Sequence, residues 1–315
     1  MKKGSRKLLA GLPLALGMMG LAGVAIGDCQ DTGFQDLTAK VVNEDVIDDE
    51  IDIGDCDVGA FFSIDGIVEG ASFNQPDTNP EPSVQYGVLV VGASVDMNDA
   101  SIWVVPDYNH QFIHIGYRDG ATGVIDGNLL TGFKRVGILL DGEGTSGVVR
   151  ENTLVGVGKK TTGWAENGIQ VSRGASATVR SNTVEGHYWG LNNFASAGII
   201  VFDSNDVVIQ RNEITGGDLA IALIGDRNNA IHNFIETSND DDTTIYNDGI
   251  SIFGTDNGAR QNTITNLREG NDDIGIIVQG FNTKLIRNTF EGEDFGYFFI
   301  WDLGEDTKLP APFVP

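Results

Sequence analysis

The amino-acid sequence predicts an all-β solenoid, in which short strands wind through repeated coils along one axis. Three observations predict this fold. An asparagine recurs every 21 to 30 residues, a phrase rich in Val and Ile surrounds most copies, and a run beginning with Gly-Ile or a similar pair precedes most of them. The phrases are too short and too rich in β-branched residues for pairs of helices. The recurring residues are Asn128, Asn152, Asn182, Asn212, Asn233, Asn262 and Asn288.

The first 27 residues are expected to be a secretory signal peptide. A basic stretch from Lys2 to Lys7 precedes an apolar run from Leu8 to Ile26, and the run ends in small residues. An uncleaved membrane anchor remains the alternative, because the run is about long enough to span a bilayer. The predicted organisation is a signal peptide (1–27), an N-terminal cap (28–60), a solenoid (61–303) and a C-terminal tail (304–315).

The charge of the chain limits its partners. Without residues 1–27 the chain keeps 16 of its 20 lysines and arginines against 45 acidic residues, a net charge of −29. This argues against nucleic acid and against unaided binding of polyanions, because both need a basic surface. A solvated surface that keeps a secreted protein soluble is the simplest interpretation. We predict a periplasmic or extracellular protein without membrane contact after cleavage.

Residues 28–60 are expected to close one end of the solenoid, because an exposed strand edge invites pairing with other chains. Cys29 and Cys56 are the only cysteines, and in an exported protein such a pair indicates one disulfide. Apolar positions between Phe34 and Ile47 fit a short amphipathic helix.

The coils follow from about Phe61, and about nine or ten are predicted. Each holds at least two strands, one opening with Gly-Ile and one carrying Val or Ile just before the asparagine. Alternate residues point inward and stack on their counterparts about 4.8 Å away. The asparagine is expected to adopt left-handed backbone angles and to bond its counterparts through side-chain amides. A second row would contain Thr153, Thr183, Thr263 and Thr289.

The Gly-Ile-x-Val runs and the Asn-Thr-[Leu/Val/Ile] phrases resemble those of right-handed parallel β-helix repeat proteins within the pectate-lyase-like group. The resemblance covers about residues 60–303, and residues 165–176 are especially similar to uncharacterised secreted members. It implies a single-stranded right-handed parallel β-helix. The group includes polysaccharide lyases, hydrolases, epimerases, copper-site assembly factors and proteins of unknown role, so the resemblance implies no single activity.

Three acids form the first candidate site. Asp248 and the pair Asp272 and Asp273 each precede a strand, one coil apart. Neighbouring coils could place them at the separation that inverting glycosidases need. The pattern resembles polygalacturonase-type glycosidases, but their Gly-His-Gly is replaced by Asp294-Phe295-Gly296 and their Arg-Ile-Lys is absent. Ordinary turn chemistry in an acidic protein is the alternative.

Two longer loops, 158–166 and 186–194, form the second candidate site. They lie in a stretch, 130–190, that carries seven basic against five acidic residues. Loops on a rigid scaffold often carry function, and aromatic residues can stack on sugars. Alternatively, these aromatics fold back over the solenoid wall. The candidate substrate-binding residues are Trp164, Tyr188, Trp189, His187, Lys159, Lys160 and Glu166.

No cofactor is predicted, although the acids from Asp240 to Asp242 leave a Ca²⁺ site open beside a solvated turn. His110, His114 and His232 are expected to be structural. The leading hypothesis is a protein that binds or acts on extracellular or cell-envelope polysaccharide. The alternatives are a glycoside hydrolase that uses the acids and a structural or adhesion module without catalysis. The sequence leaves enzymatic activity and oligomeric state undetermined.

Overall fold

The computed structural model describes residues 28–54, 56–75, 85–104, 112–161, 163–191, 193–237, 248–267, 274–292 and 297–299. The predicted signal peptide and the C-terminal tail lie outside these residues. So do Asp272, Asp273, His110 and the acids from Asp240 to Asp242.

Short β-strands alternate with turns throughout the described chain. The first ten strands are β1 (Gln30–Asp31), β2 (Thr38–Val42), β3 (Val46–Ile47), β4 (Glu50–Asp52), β5 (Val58–Phe62), β6 (Gly66–Glu69), β7 (Ser72–Gln75), β8 (Tyr86–Val91), β9 (Val95–Asn98) and β10 (Ser101–Val104). The next twelve are β11 (Ile113–Arg118), β12 (Thr122–Asp126), β13 (Leu129–Thr131), β14 (Val136–Asp141), β15 (Ser146–Arg150), β16 (Thr153–Val155), β17 (Asn167–Ser172), β18 (Ser176–Arg180), β19 (Thr183–Glu185), β20 (Ala197–Phe202), β21 (Val208–Gln210) and β22 (Glu213–Thr215). The last ten are β23 (Leu219–Ile224), β24 (Asn229–Ile231), β25 (Phe234–Glu236), β26 (Asp248–Thr255), β27 (Gly258–Arg260), β28 (Thr263–Leu267), β29 (Ile274–Phe281), β30 (Lys284–Ile286), β31 (Thr289–Gly292) and β32 (Tyr297–Phe299).

The strands form three long sheets, and each lap of the chain adds one strand to each sheet. Sheet A has twelve strands, with β2, β5, β8 and every third strand to β32 following β1 in order. Sheet B runs from β3 to β30 and sheet C from β4 to β31, each with ten strands. Apart from β1 and β2, neighbouring strands are parallel. This confirms the predicted all-β parallel solenoid. In the described part of the chain, nothing forms a helix that could cross a membrane.

Stacked aliphatic side chains fill the interior. Val88, Ile115 and Ile138 occupy equivalent positions on β8, β11 and β14, and this inward column continues through the sheet. These residues are fully buried and belong to one continuous core. Burial of this apolar surface, at roughly 25 cal/mol per Å², is the main force that holds the coils together.

The asparagines form the predicted ladder. Each side-chain amide donates to the amide oxygen of the next asparagine, at 2.8 Å from Asn128 to Asn152 and 2.9 Å from Asn152 to Asn182. The same amide also donates to a backbone carbonyl of the preceding coil, as Asn152 does to the oxygen of Ile125 at 2.9 Å. The ladder continues through Asn212, Asn233, Asn262 and Asn288. The predicted threonine row is also present, but Glu213 and Phe234 interrupt it.

The position predicted for the left-handed backbone conformation is wrong by one residue. The residue before each asparagine adopts the left-handed conformation, for example Glu151 (φ 57°), Ser181 (φ 56°) and Arg211 (φ 55°). The asparagine itself is buried because its amide bridges two coils. The sharp turn therefore falls on the preceding, more exposed residue.

Each coil holds three strands, one more than the minimum of two that the sequence predicted. The residues after each asparagine form sheet C, as in β16 and β19. These strands are only three residues long, so their alternation is too brief to stand out in the sequence.

The N-terminal region differs from its prediction. The helix expected over Phe34 to Ile47 is wrong, because Thr38–Val42 and Val46–Ile47 are strands. Thr38–Val42 pairs in parallel with β5, so the sheets begin inside the region expected to be a cap. The predicted disulfide is confirmed: Cys29 and Cys56 are bonded, with their Cα atoms 5.5 Å apart.

Candidate functional site

A groove of about 390 Å³ lies on the outer face of sheet A, across β8, β11, β14, β17 and β20. It rests on a second apolar cluster, formed by outward-facing residues of the same sheet such as Leu89 and Leu139. The groove is lined by Gln85, Tyr86, Ile113, Arg118, Arg135, Val136, Leu139, Asp141, Gln170, Ser172, Arg173 and Phe202. It therefore combines hydrogen-bonding, cationic and aromatic side chains on one surface.

A buried carboxylate organises the polar side of the groove. Asp141 accepts hydrogen bonds from Ser172 Oγ at 2.9 Å, from Arg173 Nε at 2.7 Å and from Arg118 Nη2 at 3.0 Å. Burial by itself would raise the pKa of Asp141, but the bonds from Arg173, Ser172 and Arg118 outweigh it and lower that pKa. Because Asp141 stays ionised, it holds both guanidinium groups in fixed positions.

Donors remain for a ligand in the groove. Arg173 bonds Asp141 through two nitrogen atoms, yet its side chain is 59% exposed and a guanidinium carries five N–H groups. Gln170 lies beside it and donates to Ser172 Oγ at 3.2 Å. Three arginines against one aspartate give the lining a positive charge in a strongly acidic chain.

Trp164 lies next to this groove. Its side chain is 50% exposed, and the guanidinium carbon of Arg135 is 5.3 Å from the ring centroid, a cation–π geometry. Arg135 is itself part of the groove lining, so the indole extends the aromatic surface of the groove at one side. Of the seven predicted substrate-binding residues, Trp164 is the one that presents an exposed ring.

Three other predicted contact residues form a polar cluster beneath the loops, in which two are buried and Lys160 is partly buried. Glu166 and His187 are fully buried, with His187 Nδ1 3.0 Å from Glu166 Oε1. Lys160 Nζ lies 3.4 Å from Glu166 Oε2 and also contacts the carbonyl of Lys134. Burial lowers the pKa of Lys160, while Glu166 opposes that shift. A Cβ at Gly156 would lie 2.4 Å from Glu166 Oε1, so glycine is needed there. This cluster fastens the two loops to the solenoid.

Trp189 is also buried, at 4% exposure, so its ring does not face solvent. Its backbone N–H and that of Ser196 both donate to Asp218 Oδ2 at 2.8 Å, and its indole N–H donates to Asn193 Oδ1. Burial raises the pKa of Asp218 to about 6, although both backbone bonds oppose the rise. The first loop pairs with the second through a parallel bridge between Lys160 and Trp189.

The second loop thus wraps over the solenoid wall. For Trp189 this agrees with the alternative interpretation, in which the aromatic residues of the loops fold back over the wall. Tyr188 packs against Gly216, where a Cβ would meet its hydroxyl oxygen at 2.0 Å. Lys159 is partly exposed near Asp218 and lowers the pKa of that carboxyl. Neither residue lines the groove of sheet A.

His114 lies in the solenoid interior, consistent with a structural role. It is fully buried between the rings of Phe112 and Phe133, with centroids 5.1 and 5.2 Å away. Its two ring nitrogens have no hydrogen-bond partner within the described chain. Desolvation lowers its pKa to about 3, so the ring stays neutral. Phe133 in turn stacks on His187 at 5.4 Å.

Of the predicted catalytic acids, the structure describes Asp248. It is nearly buried at the start of β26, and Ser251 Oγ donates to its Oδ2 at 3.3 Å. Asp248 pairs in register with Ile274, which directly follows Asp273. Because Asp272 and Asp273 lie outside the described residues, the separation of the three carboxyl groups stays a prediction.

Sequence reasoning missed Arg118, Asp141, Arg173 and Asp218. A signal for the first two exists, because Arg118, Asp141, Ser172 and Phe202 occupy equivalent last positions of successive sheet A strands. Aligning the Gly-Ile runs by register would have placed them in one outward column. Asp218 gives no such signal, because its role depends on how the second loop folds.

A family model described as periplasmic copper-binding protein (NosD) matches residues 68–233, just over half of the chain. The chain belongs to the NosD family. The matched residues cover the coils that carry the groove of sheet A, the buried cluster and the first five residues of the asparagine ladder. A periplasmic family and the observed disulfide agree with the predicted export, and we describe the protein as secreted.

The NosD family description names copper, a metal that soft sulfur and imidazole ligands bind. The described residues contain no group of three or more His, Cys, Asp or Glu side chains that could hold a metal ion. Cys29 and Cys56 are bonded to each other, His187 pairs with Glu166, and His114 is enclosed by phenylalanines. Met97 is buried in the core. Within the part of the chain that the structure describes, these thiolate, thioether and imidazole donors do not converge.

No curated protein sequence matches the chain. Among solved structures, a double mutant of the periplasmic alginate epimerase AlgG is similar, with 14% identity, a TM-score of 0.41, and coverage of 82% of this chain and 67% of that one. At this level of similarity it supports no conclusion about the groove.

Proposed function

We propose that this protein binds extracellular or cell-envelope polysaccharide in the groove on the outer face of sheet A. The observation that carries the proposal is the exposed ring of Phe202 in the groove and that of Trp164 beside it, together with the exposed side chain of Arg173 and the partly exposed Gln170. Sugars offer apolar ring faces to aromatics and hydroxyl groups to polar side chains, so such a lining suits them.

The dimensions of the groove favour an extended ligand. It crosses five parallel strands spaced about 4.8 Å apart, so it follows the solenoid axis for roughly 20 Å. Asp141 neutralises part of the charge of Arg118 and Arg173, which suits a neutral or weakly acidic sugar better than a densely charged one. Catalysis is not part of the proposal.

The test is retention on a polysaccharide panel, followed by calorimetric titration with the best ligand. We expect Trp164→Ala to weaken binding about fivefold or more, because loss of one aromatic contact costs about 1 kcal/mol. Arg173→Gln should weaken it further by removing charged donors. Trp103→Ala is the matched control, because Trp103 is 48% exposed but lies on sheet C.

Equal binding by the Trp164 and Trp103 variants would contradict the proposal, as would the absence of binding to every polysaccharide in neutral and acidic form. Circular dichroism on each variant would show that the solenoid is intact. Trp164 is exposed, so its replacement should leave the melting temperature within a few degrees.

A further inference from the structure

A row of arginines follows the corner between sheets B and C. Five of the seven ladder asparagines have an arginine one or two residues before them. Because the ladder fixes each coil relative to the next, these arginines fall into two adjacent columns along the solenoid axis. The arginine row consists of Arg150, Arg180, Arg211, Arg260 and Arg287.

The row places like charges next to each other. Arg150 and Arg180 are directly opposite in the parallel register of β15 and β18. Arg211 follows one coil later, and His232 occupies the same turn position in the next coil. Like charges opposite each other in a sheet are destabilising. An anionic counterpart would relieve this repulsion, and the chain has 45 acidic residues against 20 basic ones.

Most arginines of the row lack an anionic counterpart among the described residues. Asp126 pairs with Arg150 at 2.5 Å. For Arg180, Arg211, Arg260 and Arg287, no carboxylate of the described residues is within salt-bridge distance. Arg211 and Arg287 are exposed, and Arg180 is partly exposed. Two of the five arginines thus have exposed side chains and a third has a partly exposed one.

A shallow depression of about 390 Å³ borders the row on the face of sheet B. Thr178 and Val148 line it, two residues before Arg180 and Arg150 respectively. The rest of the lining is Thr122, Gly123, Ser146, Gly147, Ser176, Ala177 and Asp206. Hydroxyl groups and glycines dominate this surface, so a chain-like ligand can approach the backbone closely while its charged groups reach the arginines.

The net charge of the protein does not prevent binding here. At physiological ionic strength charges are screened beyond about 8 Å, so a ligand on the row responds mainly to the local groups. Arg180 and Arg211 are in the centre of the row. Glu151 occupies the turn position one coil before Ser181, and Glu213 follows Arg211 by two residues. Asp206, which lines the depression, is paired with Arg227. Arg150, Arg180 and Arg211 lie on three successive coils about 4.8 Å apart, an interval that suits an extended polymer with regular charges.

We propose that the arginine row and the adjoining depression of sheet B bind a linear acidic polysaccharide laid along the solenoid axis. Carboxylate or sulfate groups of the polymer accept hydrogen bonds from the guanidinium groups, and its hydroxyl groups meet the serines and threonines of sheet B. This surface is separate from the groove of sheet A and stands independently of the function proposed for that groove.

The test uses the mature protein and oligomers of polygalacturonate, a carboxylated probe, and of dextran sulfate, a sulfated one. Arg180→Gln combined with Arg211→Gln removes the centre of the row. Glutamine already occupies both columns, as Gln210 and Gln261, so the fold should tolerate both changes. We expect the double variant to bind at least one probe about tenfold more weakly, and the wild-type affinity to fall steeply with salt.

Lys40→Gln is the matched control, because Lys40 is a partly exposed cation on β2, which belongs to sheet A. Its affinity should stay within about twofold of the wild type. Equal weakening by the control would overturn the site, as would unchanged binding by the double variant or no binding of either probe. Polyphosphate that binds as tightly as both glycans would overturn the assignment to a polysaccharide. Trp164→Ala should leave this binding unchanged, which separates the two surfaces.

Discussion

At the residue scale, burial decides what each polar side chain does. Asp141 and Asp218 are both buried carboxylates, but Asp141 has two arginine partners whereas Asp218 accepts two backbone N–H groups. The arginine bonds lower the pKa of Asp141, whereas burial raises the pKa of Asp218 to about 6 although its two backbone bonds oppose the rise. The first arrangement suits a fixed anion in a groove, and the second makes the loop over the wall sensitive to pH.

Asp218 should make stability depend on pH in a defined direction. Its pKa is raised from 3.8 to about 6, so its favourable contribution is complete below pH 3.8 and is lost as pH rises through 6. Asp218→Asn keeps an amide oxygen for the N–H groups of Trp189 and Ser196 but does not ionise. We expect its stability relative to wild type to increase by up to about 3 kcal/mol between pH 4 and pH 8, measured by denaturant unfolding.

A constant stability difference across this pH range would contradict the raised pKa of Asp218. Asp206→Asn is a suitable control, because Asp206 is exposed and Arg227 lowers its pKa. Its effect should be small and have the opposite sign.

At the element scale, the turns rather than the strands set the register of the solenoid. The strands of sheet C are mostly three or four residues long and could slide along their neighbours. The asparagine ladder prevents this, because each buried amide bonds an amide and a backbone carbonyl of adjacent coils. The repeated phrase in the sequence therefore encodes alignment between coils as well as a turn.

Asn182→Ala should destabilise the ladder from its middle. The change removes the acceptor for the backbone and side-chain N–H groups of Asn152 and the donor to the carbonyl of Val149. Unsatisfied buried polar groups cost about 1–3 kcal/mol each, so we expect a loss of about 2–4 kcal/mol. Urea unfolding monitored by circular dichroism would measure it.

Asn229→Ala gives the comparison for an asparagine outside the ladder. The Asn229 amide donates to the carbonyl of Arg227 at an exposed turn. Its loss should cost about 0.5 kcal/mol or less. Similar losses in both variants would mean that the ladder has no special role.

At the scale of the whole molecule, the open end of a solenoid needs protection. The strand Gln30–Asp31 pairs antiparallel with β2, and Phe34 stacks on Phe61 with centroids 6.1 Å apart. The bond between Cys29 and Cys56 holds this segment against β5. An uncovered parallel edge would be free to pair with another chain.

Replacing both cysteines by alanine should lower stability by about 3–4 kcal/mol, the chain-entropy contribution of a loop of this length. We also expect association at high concentration, because the first strand of sheet A would open more often. Calorimetry and light scattering of the variant, with the wild type under oxidising conditions as reference, would measure both effects. An unchanged melting temperature without association would show that the remaining contacts suffice.

The sequence by itself determined the solenoid, its parallel strands, the asparagine ladder and the disulfide, because each depends on a repeat or pairing of a few residues. It placed the left-handed turn one residue late and predicted a helix at Phe34 to Ile47, where alternation over five residues in Thr38–Val42 outweighed a helical pattern. The tertiary structure alone decided which loop residues face solvent. Trp164 and Trp189 lie in similar aromatic loops, yet one is exposed and the other buried, since exposure depends on where the neighbouring coil lies. The groove around Asp141 and the arginine row likewise exist only once the coils are stacked, because their residues are about 20 to 30 positions apart in the chain.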